Sequence, residues 1–323
     1  MKNLKNKSIY LIYDAVNCTP NGDPDNGEQR YNEITKKAVV SDLRIKRFGR
    51  ERLLELGKEV FYFYDKNSIV AGEKSVSGAA ARLTHFCEKN KIDMKNVPIE
   101  TILLENFVDV RIFGGVSTTK GNSVHITGCV QWDAETNSIN EVIHGKNLIN
   151  RGITTVFPSG DDKGQGSMGR DCFLRYGLFC VTGRFNANVA KLNGATDEDF
   201  ELLLLSIIDG MKNINTRSKF GHEPIACIVV EHPILTVNNT EVGKVFSRSF
   251  FPFTIKTDKS MSELYSRNDY EFDFTPLLEK ANTSDVESVT IYCEDNSVIE
   301  KYFVNLPNKF SVKNPFDELL KLL

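Results

Sequence analysis

Residues 196–210 read TDEDFELLLLSIIDG, and this stretch decides the class of fold. Thr196 and Asp199 have the spacing of a capping box, in which each side chain binds the backbone N–H of the other residue at a helix start. A block of apolar residues follows at 202–208, and Gly210 ends it. We therefore expect a helix over 197–211 that packs on a sheet.

Strand-like and helix-like segments alternate irregularly along the rest of the chain. Helical patterns cover 41–56 and 76–90, and a short helix is expected at 315–323. Runs rich in β-branched and aromatic residues predict strands at 9–16, 60–64, 107–113, 124–132, 226–231 and 288–293. Long loops are expected at 19–32, 114–122 and 158–170, and loops of this length are usually functional or mobile. The pattern predicts an α+β fold.

The composition is that of a folded protein without a strong net charge. Of its 323 residues 41% are hydrophobic, and 40 Lys and Arg against 43 Asp and Glu give a charge of −3. Any site for a polyanion must therefore be local. The seven cysteines contain no Cys-x-x-Cys pair, which favours a reducing cytoplasm over a disulfide scaffold or a structural zinc site. No segment has the roughly 20 apolar residues that span a bilayer, so we expect a cytoplasmic protein with no membrane partner.

The strongest local charge lies in residues 36–52, which contain seven basic and two acidic side chains. On a helix that begins after Ser41, the side chains of Lys46, Arg47 and Arg50 share one side, opposite the apolar residues. Guanidinium groups bind phosphates bidentately, and such contacts ignore base identity. The segment indicates a cationic ridge for phosphates, with an ordinary solvated helix face as the alternative.

Alternation in the predicted strand 107–113 places two valines and an isoleucine on one face and Asp109 and Arg111, with two phenylalanines, on the other. Aromatic rings beside an arginine can hold the bases of a single strand on a sheet. Burial of the aromatic residues under a second layer is the alternative.

Other segments combine glycine or hydroxyl residues with basic ones. Glycine allows close approach of the backbone to an anion. The loops 114–122 and 160–170 are rich in glycine, but neither has the spacing of a nucleotide-binding P-loop, so no ATP hydrolysis is expected. The residues in question are Lys120 in the loop 114–122, Met168 and Arg170 in the loop 160–170, and the tetrad Thr216, Arg217, Ser218 and Lys219.

Acidic residues near the N-terminus raise the question of catalysis. Asp23 and Asp25, with Asp14 nearby, could hold a divalent metal for phosphodiester cleavage. Asn-Gly and Asp-Pro are also ordinary turn sequences, and we favour a turn at residues 21–25. The five histidines show no paired spacing, and no nucleophile motif is present. The sequence therefore predicts no active site, no metal and no cofactor.

A series of short motifs follows in a fixed order along roughly residues 8–232. The motifs are NGDPD at 21–25, VSD at 40–42 with Lys46 and Arg47, DVRIFG at 109–114, GCVQ at 128–131, MGR at 168–170, YGL at 176–178 and TRS at 216–218. This series resembles the backbone subunit of the CRISPR Cascade interference complex, the seventh CRISPR-associated protein family, in its type I-B or I-C branch.

The resemblance implies a single domain over 1–323 with an RNA-recognition-motif-like (ferredoxin-like) core. Insertions are expected at 66–106, as helices, and at 154–172, as a mobile glycine-rich loop, whereas 236–323 offers little to match. The implied protein is not catalytic and polymerises head to tail along a guide RNA, whose bases pair with a target DNA strand. Its partners would be the guide RNA, other copies of itself and other Cascade subunits. The implied RNA-binding residues are Asn21, Arg44, Lys46, Arg47, Arg50, Arg111, Lys120, Met168, Arg170, Arg217, Ser218 and Lys219.

Two other functions remain open at this point. One is a metal-dependent RNase like the backbone proteins of type III complexes, with Asp23 or Asp25 cutting the target strand. The other is a regulatory RNA-binding protein that shares the fold and forms no filament.

Overall fold

The computed structural model describes residues 4–63, 78–119, 122–154, 168–214, 216–238 and 240–323. The strands are β1 (Lys7–Cys18), β2 (Tyr31–Asn32), β3 (Lys37–Ser41), β4 (Gly114–Thr119), β5 (Asn122–Thr127), β6 (Val130–Trp132), β7 (Glu135–Asn137), β8 (Leu148–Thr154), β9 (Met168–Phe185), β10 (His222–Glu231), β11 (Ile234–Val237), β12 (Thr240–Gly243), β13 (Thr254–Lys256), β14 (Glu271–Asp273), β15 (Ser288–Tyr292) and β16 (Phe310–Lys313). The helices are α1 (Asp42–Glu55), α2 (Ala79–Asn90), α3 (Ile99–Asn106), α4 (Val108–Phe113), α5 (Ala187–Asn193), α6 (Asp197–Asn213), α7 (Thr275–Ala281), α8 (Asn296–Tyr302) and α9 (Pro315–Leu322). Within the described ranges, no helix has the length and apolar character to cross a membrane.

The central sheet is organised around β1. This strand pairs antiparallel with β9 on one side and β10 on the other, so that Ile9 lies opposite both Gly183 and Val229. The strand order is β16-β15-β10-β1-β9-β6, and β8 pairs with another part of β9. Residues 7–15 of β1 are all buried although successive side chains face opposite sides of the sheet. Such a strand must be covered by a layer on each face.

The first layer consists of α1 and α6. Phe48 of α1 and Leu203 of α6 belong to the same core as the inward-facing residues of β1. Two glycines allow the helices to approach closely. A Cβ atom at Gly49 would lie 2.8 Å from the Ile207 side chain, and one at Gly210 would lie 2.5 Å from the Phe48 carbonyl oxygen. The predicted packing of α6 on a sheet is confirmed.

The capping box expected at the start of α6 is also confirmed. The Asp199 amide donates to the Thr196 hydroxyl at 3.0 Å, and the Thr196 amide donates to the Asp199 carboxylate at 3.1 Å. Both bonds satisfy amides that a helix N-terminus leaves without an internal partner.

The second layer comes from the last quarter of the chain. Phe253, Phe272 and Phe274 form one core with Tyr10 and Ile12, which face the side of the sheet opposite α1 and α6. The segment 236–323, where the sequence offers little to match, therefore closes the sheet.

A polar contact ties this layer to β1. Arg267 donates from Nε and Nη2 to the buried Asp14 carboxylate at 2.6 and 3.2 Å. The Tyr176 hydroxyl lies 3.5 Å from the same carboxylate and 2.7 Å from the Tyr270 hydroxyl. Burial raises the pKa of Asp14, and the bonds from Arg267 oppose that rise.

The strand predicted at 107–113 is wrong, because Val108–Phe113 form the helix α4. Val108 and Ile112, four residues apart, face the main core, whereas Phe107 and Val110 face a smaller core with α2 and α3. A short helix buried on two sides shows the same alternation of apolar residues as a strand. Tertiary packing therefore decides the conformation here.

Two neighbouring predictions also need correction. No strand forms within the described part of 60–64, because residues 61–63 form a bend. Residues 114–122, expected as a loop, belong largely to an antiparallel hairpin in which Gly114 of β4 lies opposite Thr127 of β5. The predicted strand 124–132 is divided into β5 and β6.

The expected insertions are described only in part. Helices α2 and α3 lie within 66–106, of which the structure describes 78–106. Of the loop predicted at 154–172, residues 155–167 lie outside the described residues, and Thr154 pairs with Met168 in the β8–β9 ladder.

We predict that Arg267→Ala destabilises the protein by about 3 kcal/mol, because it leaves the buried Asp14 carboxylate without its cationic partner. Urea denaturation measures the free energy of unfolding. Lys256→Ala is the control, since Lys256 forms a solvent-screened pair with Asp273 whose loss should leave the free energy of unfolding nearly unchanged. Equal effects of the two substitutions would contradict the prediction.

Candidate nucleic-acid interface

An open groove of about 960 Å³ runs between α1 and the segment that follows α6. We call it the α1 groove. Its lining combines basic, hydroxyl-bearing, aromatic, aliphatic and acidic side chains: Arg44, Arg47, Arg50, Lys219, Thr216, Ser218, Tyr62, Phe63, Leu43, Leu54, Ile214, Glu51 and Glu55. Five of the predicted RNA-binding residues meet there, namely Arg44, Arg47, Arg50, Ser218 and Lys219.

Arg44 forms part of the floor of the α1 groove. Its side chain is 9% exposed, and its guanidinium carbon lies 3.9 Å from the centre of the Phe48 ring. Burial lowers the pKa of Arg44 to about 10, although Glu51 lies 3.6 Å away and opposes that effect. Within the described part of the chain, its buried Nε and Nη2 atoms make no hydrogen bond. The positive charge of Arg44 therefore lies just beneath the surface of the groove, where its attraction for an anion is screened little by water.

Lys219 joins the floor of the α1 groove from the opposite side. Its ammonium group donates to the carbonyl oxygens of Thr19 and of Pro20, the latter at 3.1 Å. Burial, together with the positive charge of the nearby Arg44, lowers the pKa of Lys219 to about 8. These acceptors are uncharged carbonyl groups, so they do not cancel the positive charge of Lys219.

His222 anchors the turn that carries Lys219. Its Nδ1 atom lies 2.7 Å from the Lys219 carbonyl oxygen, and its ring stacks on Tyr13 with 5.8 Å between centroids. Burial lowers the pKa of His222 to about 3, so the ring is neutral at physiological pH. The turn is therefore held against β1 by packing and a hydrogen bond rather than by charge.

The two remaining arginines of the groove have carboxylate partners. Arg47 is 66% exposed and its Nε lies 2.6 Å from Glu51 on the next turn of α1. Arg50 is largely buried, with its Nε 3.0 Å from Asp109. Of the three residues predicted to form the cationic ridge, the two arginines therefore lie in the α1 groove, each paired with a carboxylate.

Lys46 and Arg111 lie outside the α1 groove. Lys46 is buried beside Phe113, and its ammonium group lies 2.7 Å from Asp42. Arg111, expected on an open strand face, lies instead on α4 and donates to Asp199 at 3.0 and 2.7 Å. Both cations are used inside the protein.

Asn21 acts as a structural link rather than lining the groove. Its side-chain oxygen accepts hydrogen bonds from the backbone amide and the hydroxyl of Ser41, each at 2.8 Å. Ser41 is the residue before α1, so Asn21 fixes where that helix begins.

Asp23 and Asp25 lie in the predicted turn, which is confirmed. Asp23 accepts from the amide of Asp25 at 2.9 Å through its side chain and from the amide of Gly27 at 2.8 Å through its carbonyl. Among the described residues, no group of His, Cys, Asp and Glu side chains could hold a metal ion.

A second basic surface lies beside the groove, on the β8–β9 hairpin. Arg217 is 64% exposed and lies 2.7 Å from Asp171, and Arg151 lies 3.5 Å from the same carboxylate. The Arg151 guanidinium also lies 4.7 Å from the centre of the Phe173 ring. Of the other predicted residues, Met168 and Arg170 lie in β9 but their side chains are outside the described part, as is Lys120.

Three residues of these surfaces are not predicted from the sequence: Tyr62 and Phe63 in the α1 groove, and Arg151 on the second basic surface. The first two lie in the FYFY run at 61–64, whose pattern predicts only a strand. Two adjacent aromatic residues soon after a basic helix could have signalled stacking beside phosphate contacts.

The fold combines a sheet covered on both faces with an open groove that carries several basic side chains. Comparisons with known proteins identify the family. The model of the family described as CRISPR-associated protein Cas7 matches residues 5–275. The chain therefore belongs to the Cas7 family, which confirms the resemblance found in the sequence. CRISPR-associated protein Cas7 of Haloferax volcanii is 24% identical over 299 residues, covering 86% of this chain and 83% of that protein.

Two solved structures share the fold. A chain of a "CRISPR RNA-guided surveillance complex, pre-nicking" matches with a TM-score of 0.51 at 13% identity, covering 98% of this chain and 100% of its own length. A chain of a "CRISPR RNA-guided surveillance complex" matches with a TM-score of 0.50 at 14% identity and the same coverage.

We predict a pH dependence of stability that comes from Lys219. Its pKa is about 8 in the fold and the ordinary value is 10.5, so between these values the unfolded chain binds more protons and stability rises with pH. From pH 7.5 to 9 the wild type should gain about 1 kcal/mol relative to Lys219→Met, which has no titrating group there. Urea denaturation of both proteins at each pH measures this difference, and a constant difference would contradict the prediction.

Proposed function

We propose that this protein is a guide-RNA-binding backbone subunit of a type I CRISPR complex, of the I-B or I-C branch. The observation that carries the proposal is the α1 groove, which joins cations from two separate elements, α1 and the 216–219 turn, on one surface. Arginine, lysine and hydroxyl groups bind the sugar-phosphate backbone without reading base edges. A guide-binding subunit needs this property, because it must accept any guide sequence.

An RNA-recognition-motif-like core is part of the proposal. The elements β1, α1, β6, β9, α6 and β10 follow one another in the order strand, helix, strand, strand, helix, strand, and the four strands lie side by side as β10-β1-β9-β6. This is the connectivity of the ferredoxin-like fold. In RNA-recognition motifs the free sheet face holds the bases. Here the C-terminal layer covers that face, which supports RNA binding at the α1 groove instead.

Several further properties belong to the same proposal. Copies of the chain stack head to tail along the guide, beside other subunits of the complex, and the exposed bases pair with a target DNA strand. A near-neutral charge of −3 favours packing of identical copies. The protein acts in the cytoplasm, in keeping with its free cysteines.

We further propose that the protein does no chemistry on nucleic acid. The carboxylates of Asp23 and Asp25 belong to a turn stabilised by its own backbone amides, which supports a structural role. The RNase function and the filament-free regulatory function stay as outcomes of the tests below.

The first test concerns the phosphate contacts. Arg44→Gln, Arg47→Gln and Lys219→Gln together should weaken binding of single-stranded RNA equally for different sequences. The slope of log K against log salt should fall by about 0.7 for each lost phosphate contact. Fluorescence anisotropy at several salt concentrations measures both quantities.

The matched control removes three cations from the C-terminal layer by Arg248→Gln, Lys256→Gln and Lys301→Gln. All three are exposed, and none lines the α1 groove. Net charge changes equally in the two variants. If both lose the same affinity and slope, the groove is not the RNA site.

The second test concerns catalysis and assembly. Wild-type protein expressed with a CRISPR array should copurify with RNA of uniform length and with many copies of itself. This complex should leave end-labelled complementary RNA and DNA intact in Mg²⁺ or Mn²⁺. Regularly spaced fragments that disappear in Asp23→Asn/Asp25→Asn would instead establish the RNase, and RNA of mixed length bound to a monomer would establish the regulatory protein.

A further inference from the structure

Asp109 is fully buried behind one wall of the α1 groove, and three N–H donors converge on it. Its Oδ1 accepts from the backbone amide of Phe61 at 2.9 Å. Its Oδ2 accepts from the backbone amide of Tyr62 at 3.2 Å and from Arg50 Nε at 3.0 Å. One carboxylate on α4 thus binds both α1 and the segment that carries the aromatic residues of the groove.

These bonds fix the orientation of Arg50. Its guanidinium lies 5.4 Å from the centre of the Tyr62 ring and 5.2 Å from the centre of the Phe113 ring. In the described part of the chain the pair with Asp109 uses Nε, which leaves the two Nη groups for a ligand in the groove. A guanidinium held by stacking and by one carboxylate loses little freedom when it binds a phosphate.

Tyr62 is positioned by the same carboxylate. Its amide is bound by Asp109, and its hydroxyl donates to the Val116 carbonyl oxygen at 2.7 Å. The ring therefore stands at a fixed place in the wall of the groove, beside Arg50. Both partners belong to the protein itself, so the arrangement exists before any ligand binds.

We propose that Asp109 is a positioning residue for RNA binding, which orients the Arg50 guanidinium, beside the Tyr62 ring, toward the groove. The inference rests on the proposed function, since it assigns RNA as the ligand of the α1 groove. The proposal assigns a role in RNA binding to a buried acidic residue that does not contact the RNA itself.

A purely structural role for Asp109 makes a different prediction. Loss of a buried carboxylate with three partners destabilises the fold whatever Arg50 does. A positioning role acts through Arg50, so its effect on RNA affinity must disappear when Arg50 no longer binds RNA. A double-mutant cycle separates the two cases.

The experiment measures RNA affinity and thermal stability for wild type, Asp109→Asn, Arg50→Gln and the double variant. Arg50→Gln should weaken RNA binding about tenfold, as expected for one charged hydrogen bond. Asp109→Asn should weaken it by a similar factor although no positive charge is lost. In the Arg50→Gln background, Asp109→Asn should cause no further loss of affinity.

Asp14→Asn is the matched control. Asp14 is also a buried carboxylate bound to an arginine, but it lies on the opposite face of the sheet. It should lower the melting temperature as Asp109→Asn does and leave RNA affinity unchanged.

Arg50→Lys keeps the test decisive if Asp109→Asn does not fold. Arginine can bind Asp109 through Nε and a phosphate through its Nη groups at the same time. Lysine keeps the positive charge but has a single ammonium group, so it cannot make both contacts in this geometry. RNA affinity should therefore fall about as much as in Arg50→Gln, and full affinity in Arg50→Lys would overturn the proposal.

The remaining outcomes are also informative. An equal loss of affinity from Asp109→Asn in both backgrounds, or from Asp14→Asn, would make Asp109 merely structural. Failure of the wild type to bind RNA would overturn the proposed function itself, which is a different result from these.

Discussion

Burial of β1 on both faces is the constraint on which the rest of the structure depends. A strand of this kind leaves no polar edge or face to water, so it needs a partner strand on each side and a layer above and below. Helices α1 and α6 supply one layer, and the aromatic residues around Phe272 supply the other. The C-terminal layer occupies one face of the sheet, and the α1 groove lies at the margin of the helical layer on the other.

Pairing of charges decides which cations remain for a ligand. Arg111 and Lys46 are neutralised by Asp199 and Asp42, and they stabilise the packing of α4 and α1. Lys219 binds carbonyl oxygens, and Arg44 lies on an aromatic ring with Glu51 3.6 Å away. The electrostatic character of the groove therefore comes largely from buried cations that their partners neutralise only in part, at the cost of lowered pKa values.

Sequence patterns were sufficient wherever one local signal and one environment agreed. The capping box of α6, the basic helix after Ser41 and the turn at 21–25 were predicted because each depends on contacts between residues close in the sequence. The strand at 9–16 was predicted from its run of apolar residues, although its partner strands β9 and β10 lie far away in the sequence. The pattern failed at 107–113, where the helix α4 lies between two cores. Apolar residues then face two sides, and the period of the pattern no longer distinguishes helix from strand.

The sequence by itself determined the α+β class, the family and the concentration of basic residues in one helix. Only the tertiary structure decided which of those residues face a groove. The reason is physical: a carboxylate such as Asp109 meets Arg50 across 59 positions of the chain, and Lys219 meets Pro20 across 199. Such distant pairings set the burial and the free charge of each side chain, and no local pattern of residues contains them.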